Sequence, residues 1–412
     1  MKSTIDFVNT PVVDVVNQII LDSARAGASD IHFDHFDNCL RVRIRVDGIL
    51  NDYADIPNNV KNNVITRIKI ISGMNITETR LPQDGAIKTT LGGIDLDMRV
   101  SSLPTKKGEK IVIRILDYSR SMQGIEYLFF SEENYKKILK MLSAPNGIIL
   151  VTGATGSGKS TTVYSFLQRL NVKGTNLITV EDPVEMDIEG INQVQVNSEI
   201  GLDFATVLRS ILRQDPNVIM IGEIRDSETA QIAVRASITG HLVLSTLHTN
   251  NSLTTIERLL DMDVERYLLA TALSGIVSQK LARKLCDKCK KPRATSPYEK
   301  EMFRRFLNMD VQQVYEAVGC PECSGGYKGR IAVQEVLLIS PDVRDAINAR
   351  MPKAELRNLV YNSDVITLLQ DGLYKTLAGF TTIEEIIKLT EADDEVNAEA
   401  KYKNIRQGVS QN

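Results

Sequence analysis

The strongest signal in this sequence is a glycine-rich segment that follows an apolar run. Gly147–Thr152 reads Gly-Ile-Ile-Leu-Val-Thr, and Gly153–Ser160 then matches G-x-x-x-x-G-K-[ST]. In this pattern glycines let backbone N–H groups turn toward phosphate oxygens, the lysine reaches the β- and γ-phosphates, and the hydroxyl ligates Mg²⁺. A helical pattern starts at Thr161, so we predict a strand–loop–helix site for a nucleoside triphosphate. The predicted contacts are Gly153, Ala154, Thr155, Gly156, Ser157, Gly158, Lys159, Ser160 and Thr161, with Ser160 as a magnesium ligand.

Two carboxylates follow apolar runs in the same part of the chain. Glu223 comes shortly after Val218–Ile221, and Glu181 comes directly after Leu177–Val180. A site that transfers phosphoryl groups needs acids to hold Mg²⁺ and to orient the attacking water. Ligands of open α/β sheets bind at the carboxyl ends of the strands, where both acids are expected. We therefore predict that both serve the nucleotide site; the alternative for each is to cap a helix or pair with a surface base.

The spacing of the apolar runs predicts the fold class. Runs at 147–152, 177–180, 218–221 and 242–247 alternate with amphipathic helical patterns, which is typical of a parallel α/β sheet. Upstream, Leu40–Val46 alternates apolar residues with arginines, which predicts a half-buried strand of a smaller α+β domain. Downstream, 341–390 favours helices. The tail 391–412 is charged and poor in apolar residues, so we predict that it is disordered.

Composition limits the classes of partner. The 412 residues exceed one average domain, and 49 basic against 52 acidic residues give a net charge of -3. Binding of nucleic acid would therefore need a local basic patch. No apolar run approaches the roughly 18 residues of a membrane span. The sequence predicts a cytoplasmic protein.

Four of the five cysteines occur as two pairs. Cys286-x-x-Cys289 and Cys320-x-x-Cys323 are separated by 30 residues. Four thiolates suit a closed tetrahedral Zn²⁺ site, which we favour over a redox pair because neither pair lies in a thioredoxin-like βαβ context. We expect Cys39 to be structural, as we do His32 and His35, although these three residues could imitate a metal cluster.

A basic cluster surrounds the first cysteine pair. Contact with acidic lipid, with a membrane protein or with nucleic acid is one interpretation, and a solvated face of a small zinc module is the other. The cluster consists of Lys280, Arg283, Lys284, Lys288, Lys290, Lys291 and Arg293.

The motifs together resemble those of the ATPases of type II secretion and type IV pilus assembly. The resemblance covers about Pro11 to Thr390 and implies a RecA-like P-loop domain with a parallel-rich sheet, preceded by a smaller α+β (PAS-like) domain. In this family the assembly and secretion members carry a tetracysteine insert that the retraction motors generally lack. The motifs are the Walker A loop Gly153–Thr161, the acidic box Thr179–Glu185, the Walker B segment Asp215–Asp226 and the histidine box Thr239–Thr249.

The resemblance also implies roles for individual residues. Glu223 would bind Mg²⁺ or its waters and Glu181 would polarise the attacking water, with the reverse assignment open. His241 and His248 would sense the γ-phosphate or relay its loss to the subunit boundary. Arginines of the first domain, Arg99 and Arg114, would approach the γ-phosphate, because a guanidinium matches phosphate oxygens; without the resemblance both would be read as solvent-facing charges.

Arg80 is a weaker candidate for the same cleft or for a contact between subunits.

Three features depart from the family. Ala86 follows Gln83-Asp-Gly85, where relatives often have arginine. Members usually begin with a further domain that docks the motor on its membrane complex, whereas this sequence starts almost directly at the arginine-bearing domain. Ile331-Ala-Val-Gln334 stands where relatives usually have Thr-Gly-Ile-Tyr.

The implied function is a hexameric motor that uses ATP, Mg²⁺ and Zn²⁺ to power pilus assembly or type II protein secretion. It would act on an inner-membrane platform protein from the cytoplasmic face of the membrane, with acidic lipid as a further contact. Nucleic acid is not expected as a partner. The alternatives are a DNA-translocating ATPase with a zinc-ribbon contact to nucleic acid, and a scaffold that binds ATP but scarcely hydrolyses it.

We predict six segments along the chain. The α+β domain and its arginines occupy 1–118, and a linker occupies 119–128. The P-loop core, the tetracysteine module, the helical subdomain and the tail follow at 129–280, 281–335, 336–390 and 391–412.

Overall fold

The structure, a computed structural model, describes residues 5–116, 124–361 and 364–390. The chain divides into two compact units, residues 1–119 (unit 1) and 120–412 (unit 2). The tail predicted to be disordered and residues 119–123 of the predicted linker lie outside the described residues.

Unit 1 begins with a helix whose apolar positions fall on one face. In α1 (Val12–Arg25) the buried residues include Val15, Val16, Ile19 and Ile20, the spacing that a helix with one apolar face requires. The elements that follow are β1 (Ala28–His35), β2 (Cys39–Val46), β3 (Ile49–Pro57), α2 (Asn58–Ile71), β4 (Gln83–Leu91), β5 (Ile94–Thr105) and β6 (Gly108–Leu116).

The six strands of unit 1 form one antiparallel sheet in the order β3-β2-β1-β6-β5-β4. The alternation predicted for β2 is confirmed, because Leu40, Val42 and Ile44 are buried and the arginines between them are not. Asp47 and Gly48 connect β2 to β3 with φ angles of 49° and 85°, as a two-residue hairpin with positive φ at both positions requires.

Unit 2 contains the strands that the apolar runs predict. Its first half comprises a short 3₁₀ turn (Ile125–Leu128), α3 (Glu132–Leu142), β7 (Gly147–Thr152), α4 (Lys159–Leu170), β8 (Leu177–Glu181), β9 (Asn192–Gln195), α5 (Phe204–Ile211), β10 (Val218–Ile221), α6 (Ser227–Ile238) and β11 (Leu242–Leu247).

The second half adds two long strands and most of the helices. It comprises α7 (Ser252–Asp261), α8 (Arg266–Ala272), β12 (Leu273–Leu285), β13 (Lys291–Ala294), α9 (Pro297–Leu307), β14 (Gln313–Glu316), β15 (Tyr327–Leu338), α10 (Pro341–Asn348), α11 (Lys353–Tyr361), α12 (Leu368–Leu377) and α13 (Ile383–Thr390).

The large sheet of unit 2 has the order β15-β12-β7-β11-β10-β8-β9. The strands from β12 to β9 pair in parallel, and β15 pairs antiparallel with β12. All residues of β7, β8, β10 and β11 are buried, because helices cover both faces of a parallel sheet. This arrangement confirms the predicted α/β class with a parallel-rich sheet.

The cysteine-bearing insertion connects β12 to β15 of this sheet. β12 ends, and β15 begins, inside the predicted module 281–335. The segment outside the large sheet is therefore 286–326, and it contains α9 and the two-stranded β13–β14 sheet. The predicted boundary at 280/281 thus falls inside β12. Within the described ranges, every helix is too short or too polar to cross a lipid bilayer.

A candidate nucleotide site and a candidate zinc centre

The glycine-rich loop lies between β7 and α4, at the carboxyl edge of the parallel strands. Gly153, Gly156 and Gly158 adopt φ angles of 147°, 79° and 88°, which residues with a Cβ rarely adopt. The loop ends at the first turn of α4, where backbone N–H groups without helical partners favour an anion. The local backbone is therefore suited to phosphate.

Lys159, the first residue of α4, is folded against this loop. Its Nζ donates to the carbonyl oxygens of Gly153 and Ala154 at 2.9 and 3.1 Å, and the residue is buried. Burial lowers the pKa of Lys159, and the charge of Glu223 opposes that shift. A phosphate oxygen would be a stronger acceptor for this ammonium than either carbonyl.

Glu223 lies two residues beyond β10, at the same edge of the sheet. Its carboxylate accepts hydrogen bonds from Arg225 and from His248, whose Nε2 is 3.3 Å away. Burial would raise the pKa of Glu223, but Arg225 and then His248 hold it below its ordinary value. Arg225 also contacts Asp182 at 3.3 Å. The sheet edge therefore carries an ionised, partly accessible carboxylate (side chain 19% exposed) near the loop.

Glu181, the last residue of β8, has a different environment. It is 3% exposed, and both of its carboxylate oxygens are occupied. One accepts from Thr179 and Gln193 at 2.6 and 3.0 Å, and the other accepts from the Tyr164 hydroxyl. Burial, followed by the charge of Glu181, raises the pKa of Tyr164. Glu181 thus links β8 to α4 and to β9.

The structure separates the two histidines of the histidine box. His248 follows β11 and reaches Glu223, whereas His241 precedes β11 and places Nδ1 2.9 Å from the carbonyl of Ala236. The six residues of β11 between them span about 20 Å, because a strand rises about 3.3 Å per residue. The structure therefore brings His248, and not His241, into contact with Glu223 of its own chain.

The two predicted arginines are neighbours in unit 1. Arg99 on β5 and Arg114 on β6 are directly opposite each other in the strand register. Arg114 donates from Nε to Asp30 at 2.9 Å, with its side chain 61% exposed. The pair therefore places two permanent positive charges side by side on one face of the sheet. Arg80 is exposed and donates to Glu78, which lowers the pKa of Glu78 to about 2.

The four paired cysteines meet in one cluster. Their Sγ atoms all lie within 4.8 Å of one another, with separations of 3.9 Å for Cys286–Cys320, 3.7 Å for Cys289–Cys323 and 3.6 Å for Cys320–Cys323. A tetrahedral Zn²⁺ with Zn–S bonds of about 2.3 Å requires sulfur separations of about 3.8 Å. A disulfide would instead bring two sulfurs to about 2.05 Å. The donor set and its geometry therefore fit zinc.

Two backbone turns present these sulfurs at the ends of β12 and β15. The N–H of Cys289 donates to the carbonyl of Cys286, and the N–H of Cys323 to that of Cys320, both at 3.2 Å. The N–H of Cys286 also donates to the carbonyl of Gly326 at 2.9 Å. In the described part of the chain His32, His35 and Cys39 do not form a second metal-binding group.

The basic cluster around the zinc centre is mostly engaged within the chain. Six of its seven members donate to acids or to a carbonyl, so it offers less free charge than the sequence indicates. These contacts are Lys280 to the carbonyl of Leu389, Arg283 to Glu385, Lys284 and Lys290 to Asp287, Lys288 to Glu322, and Arg293 to Glu299.

Three residues at the site were missed from the sequence. Arg225 and Tyr164 hold the two candidate acids, and Gln279 on β12 contacts the glycine-rich loop. Arg225 lies inside the Walker B segment and so had a visible signal, whereas Gln279 lies in the polar stretch Ser278–Lys280, which does not single it out. Nothing in the sequence around Tyr164 predicts its partner.

Comparison with known proteins agrees with this architecture. The profile of the family described as type II/IV secretion system protein matches residues 8–388. The chain is 47% identical over 383 residues to a type II secretion system protein E of Xanthomonas campestris, covering 92% of this chain and 68% of that protein. It is 44% identical over 386 residues to the same-named protein of Pectobacterium carotovorum, covering 93% and 77%.

A pilus protein and two solved structures extend the comparison. The type IV pilus assembly ATPase PilB of Thermus thermophilus is 45% identical over 380 residues, which are 91% of this chain and 42% of that protein. The Legionella pneumophila ATPase DotB superposes with a TM-score of 0.70 at 20% identity, covering 95% of this chain and 99% of that one. The pilus retraction motor PilT with bound ADP gives 0.61 at 24%, covering 90% and 96%.

The likeness to DotB and PilT supports the fold, and the sequence identities carry the assignment to a family. The profile and the relatives each span nearly all of the chain, including every motif that the sequence analysis singled out. This chain belongs to the type II/IV secretion system protein family.

Proposed function

We propose that this chain is a Mg²⁺-dependent ATPase that powers the assembly of a type IV pilus or protein export by type II secretion. The observation that carries the proposal is the convergence of the glycine-rich loop, Lys159 and an ionised Glu223 at one edge of the parallel sheet. The relatives include a pilus assembly ATPase and type II secretion proteins, and their names support the assignment to one of these two systems.

In this proposal the loop and the first turn of α4 hold the nucleotide phosphates. Lys159 exchanges its two carbonyl acceptors for phosphate oxygens, and Ser160 supplies a hydroxyl ligand to Mg²⁺. Magnesium, when bound, neutralises charge that develops on the phosphates. Glu223 is the carboxylate available to the metal or to its waters, because its contacts, unlike those of Glu181, leave it partly exposed.

Glu181 then has a positioning role. Three side chains already donate to it and the residue is 3% exposed, so it is less accessible to a water than Glu223, whose side chain is 19% exposed. We propose that Glu181 holds β8, β9 and α4 together while Glu223 performs the chemistry. Arg99 and Arg114 carry over from the family as proposed contacts of the γ-phosphate.

The zinc centre supports assembly or secretion over pilus retraction, given the family pattern of tetracysteine inserts. Zinc would be held by Cys286, Cys289, Cys320 and Cys323 and would be structural, since all four ligand positions are filled by protein. A homohexamer acting on a platform protein at the cytoplasmic face of the inner membrane completes the proposal.

Binding of nucleic acid is disfavoured by the ion pairs around the zinc centre. Salt-dependent binding to DNA requires lysines and arginines that can neutralise phosphates, and most of those in the basic cluster are already paired. The same pairing weakens the proposed contact with acidic lipid.

Steady-state phosphate release by the purified chain tests the proposal. The wild type should hydrolyse Mg·ATP, and Lys159→Ala should lose at least about 99% of that rate, because the lysine contacts transferring phosphate. Double-stranded DNA should leave the rate unchanged. Stimulation by DNA would favour a DNA translocase, and appreciable turnover by Lys159→Ala would remove the assigned site.

A further inference from the structure

Gln279 is a buried polar residue that contacts the chain on either side of Lys159 and Ser160. It is 1% exposed. Its Nε2 donates to the carbonyl of Ser157 at 2.8 Å, and its Oε1 accepts from the hydroxyl of Thr162 at 2.8 Å. The residues between these two contacts include Lys159 and Ser160. One side chain therefore spans the part of the loop where the nucleotide contacts are concentrated.

The two contacts fix the orientation of the amide. A carbonyl can only accept, so the amino group of Gln279 must face Ser157. Reversal would place two oxygens against each other. Because both hydrogen bonds are buried, loss of either partner leaves a polar group without compensation.

Strand register explains why Gln279 is in this position. Ser278 on β12 pairs with Thr152, the last residue of β7, and their hydroxyl oxygens are 3.0 Å apart. The next residue of β12, Gln279, therefore lies beside the start of the loop. β12 continues past the end of β7 and runs alongside the loop.

Two glycines of the loop pack closely against this part of β12. A Cβ on Gly153 would lie 2.4 Å from the backbone oxygen of Gln279, which no real side chain tolerates. A Cβ on Gly158 would lie 3.1 Å from Nε2 of Gln279. These glycines thus serve close packing against β12 in addition to their positive φ angles.

We propose that Gln279 is a positioning residue that holds the loop in its phosphate-binding conformation. It does not touch the nucleotide; it acts through the backbone of Ser157 and the first turn of α4. Without Gln279 the loop samples other conformations. The apparent affinity for nucleotide then falls in proportion to the fraction of molecules whose loop keeps the phosphate-binding conformation. The inference rests on the proposed nucleotide site.

The test compares Gln279→Ala with Gln334→Ala. Gln334 is the direct cross-strand partner of Gln279 on β15, is equally buried, and bonds to the carbonyl of Leu128 instead of to the loop. Titration of the full chain with a fluorescent Mg·ADP analogue gives Kd, and steady-state kinetics give KM and kcat. Thermal unfolding measures the structural cost of each change.

Gln279→Ala should raise Kd for Mg·ADP and KM for ATP about tenfold, with a smaller change in kcat, because binding and not chemistry depends on the loop conformation. Gln334→Ala should lower Tm and leave Kd unchanged. Thr162→Val, which removes one of the two hydrogen bonds, should raise Kd about threefold and serves if Gln279→Ala does not fold. The inference would be overturned if Gln279→Ala bound Mg·ADP with the Kd of the wild type, or, where Gln279→Ala does not fold, if Thr162→Val did. If the wild type bound no Mg·ADP, the proposed function would fail instead.

Discussion

At the scale of single residues, two carboxylates with similar sequence settings have different environments. Glu181 and Glu223 both follow a buried strand, yet Glu181 is enclosed by three donors and Glu223 is partly open. Arg225 keeps Glu223 ionised by lowering its pKa. The structure thus distinguishes an enclosed carboxylate, Glu181, from a partly accessible one, Glu223.

Matched amide substitutions separate these roles. Glu223→Gln should reduce kcat by at least about 100-fold, because the acid that serves Mg²⁺ and the attacking water is lost. Its Tm should stay near wild type, because the residue is partly exposed. Glu181→Gln should lower Tm, since an amide nitrogen cannot accept from the hydroxyl donors. Kinetics and thermal unfolding of both variants provide the check. An inactive Glu181→Gln variant with wild-type Tm would assign the chemistry to Glu181.

The local motifs could be predicted from sequence, whereas contacts between distant residues could not. The loop contacts are consecutive in the chain, and their spacing reports the chemistry directly. Gln279 lies 122 residues from Ser157, so its contact depends on the register of β12 with β7. His241 and His248 share one motif, but a strand carries them to opposite ends of the sheet.

At the scale of elements, β12 and β15 link the large sheet to the zinc centre and to the last helices. Arg283 on β12 forms two hydrogen bonds with Glu385 of α13, at 2.9 and 2.6 Å, and stacks on Tyr327. Lys280 donates to the carbonyl of Leu389 at the end of α13. The cysteine-bearing insertion therefore begins at the end of β12, the strand that anchors α13.

Removal of zinc should loosen this region. One zinc ion per chain is expected in the purified protein, and a strong chelator or Cys286→Ser should lower Tm by several degrees, because metal binding contributes to the free energy of folding. Metal analysis and thermal unfolding provide the check, with Cys39→Ser as the control that should retain zinc and Tm. A chain that contains no zinc and whose unfolding ignores the chelator would contradict this account.

The elements missed from the sequence have weak local signals. α2 contains four asparagines, which are poor helix formers, and is held by the burial of Val64, Ile65 and Ile68. β12 extends beyond its apolar start into Lys280–Lys284, where charged residues obscure the apolar pattern from which a strand is predicted. Pairing with β15 keeps that stretch extended. In each case tertiary contacts override local preference.

At the scale of the whole molecule, each unit has its own apolar core. The core of unit 1 lies between its sheet and the helices α1 and α2, and that of unit 2 surrounds the central parallel strands. Unit 1 also buries an ion pair, in which Lys69 contacts Glu109 at 2.7 Å. Substitutions on the exposed face of unit 1 should therefore leave the fold of unit 2 intact.

Removal of Arg99 and Arg114, the two arginines of unit 1 predicted to contact the γ-phosphate, tests that role. Arg99→Ala combined with Arg114→Ala should lower kcat for ATP by at least about 100-fold, because a guanidinium that stabilises transferring phosphate contributes on that scale. Affinity for Mg·ADP, which lacks the γ-phosphate, should not change. Arg41→Ala, which removes another paired arginine of the same sheet, is the control and should retain activity. A double variant with wild-type kcat would show that both are surface charges.

Binding of a non-hydrolysable ATP analogue with Mg²⁺, measured by calorimetry on the wild type and on Lys159→Ala, tests the central claim most directly. We expect one site per chain in the wild type and an affinity at least about thirtyfold lower in the variant, because the lysine–phosphate contact is charge-assisted. Absence of binding to the wild type, or equal affinity in the two proteins, would contradict the assignment of the loop as the nucleotide site.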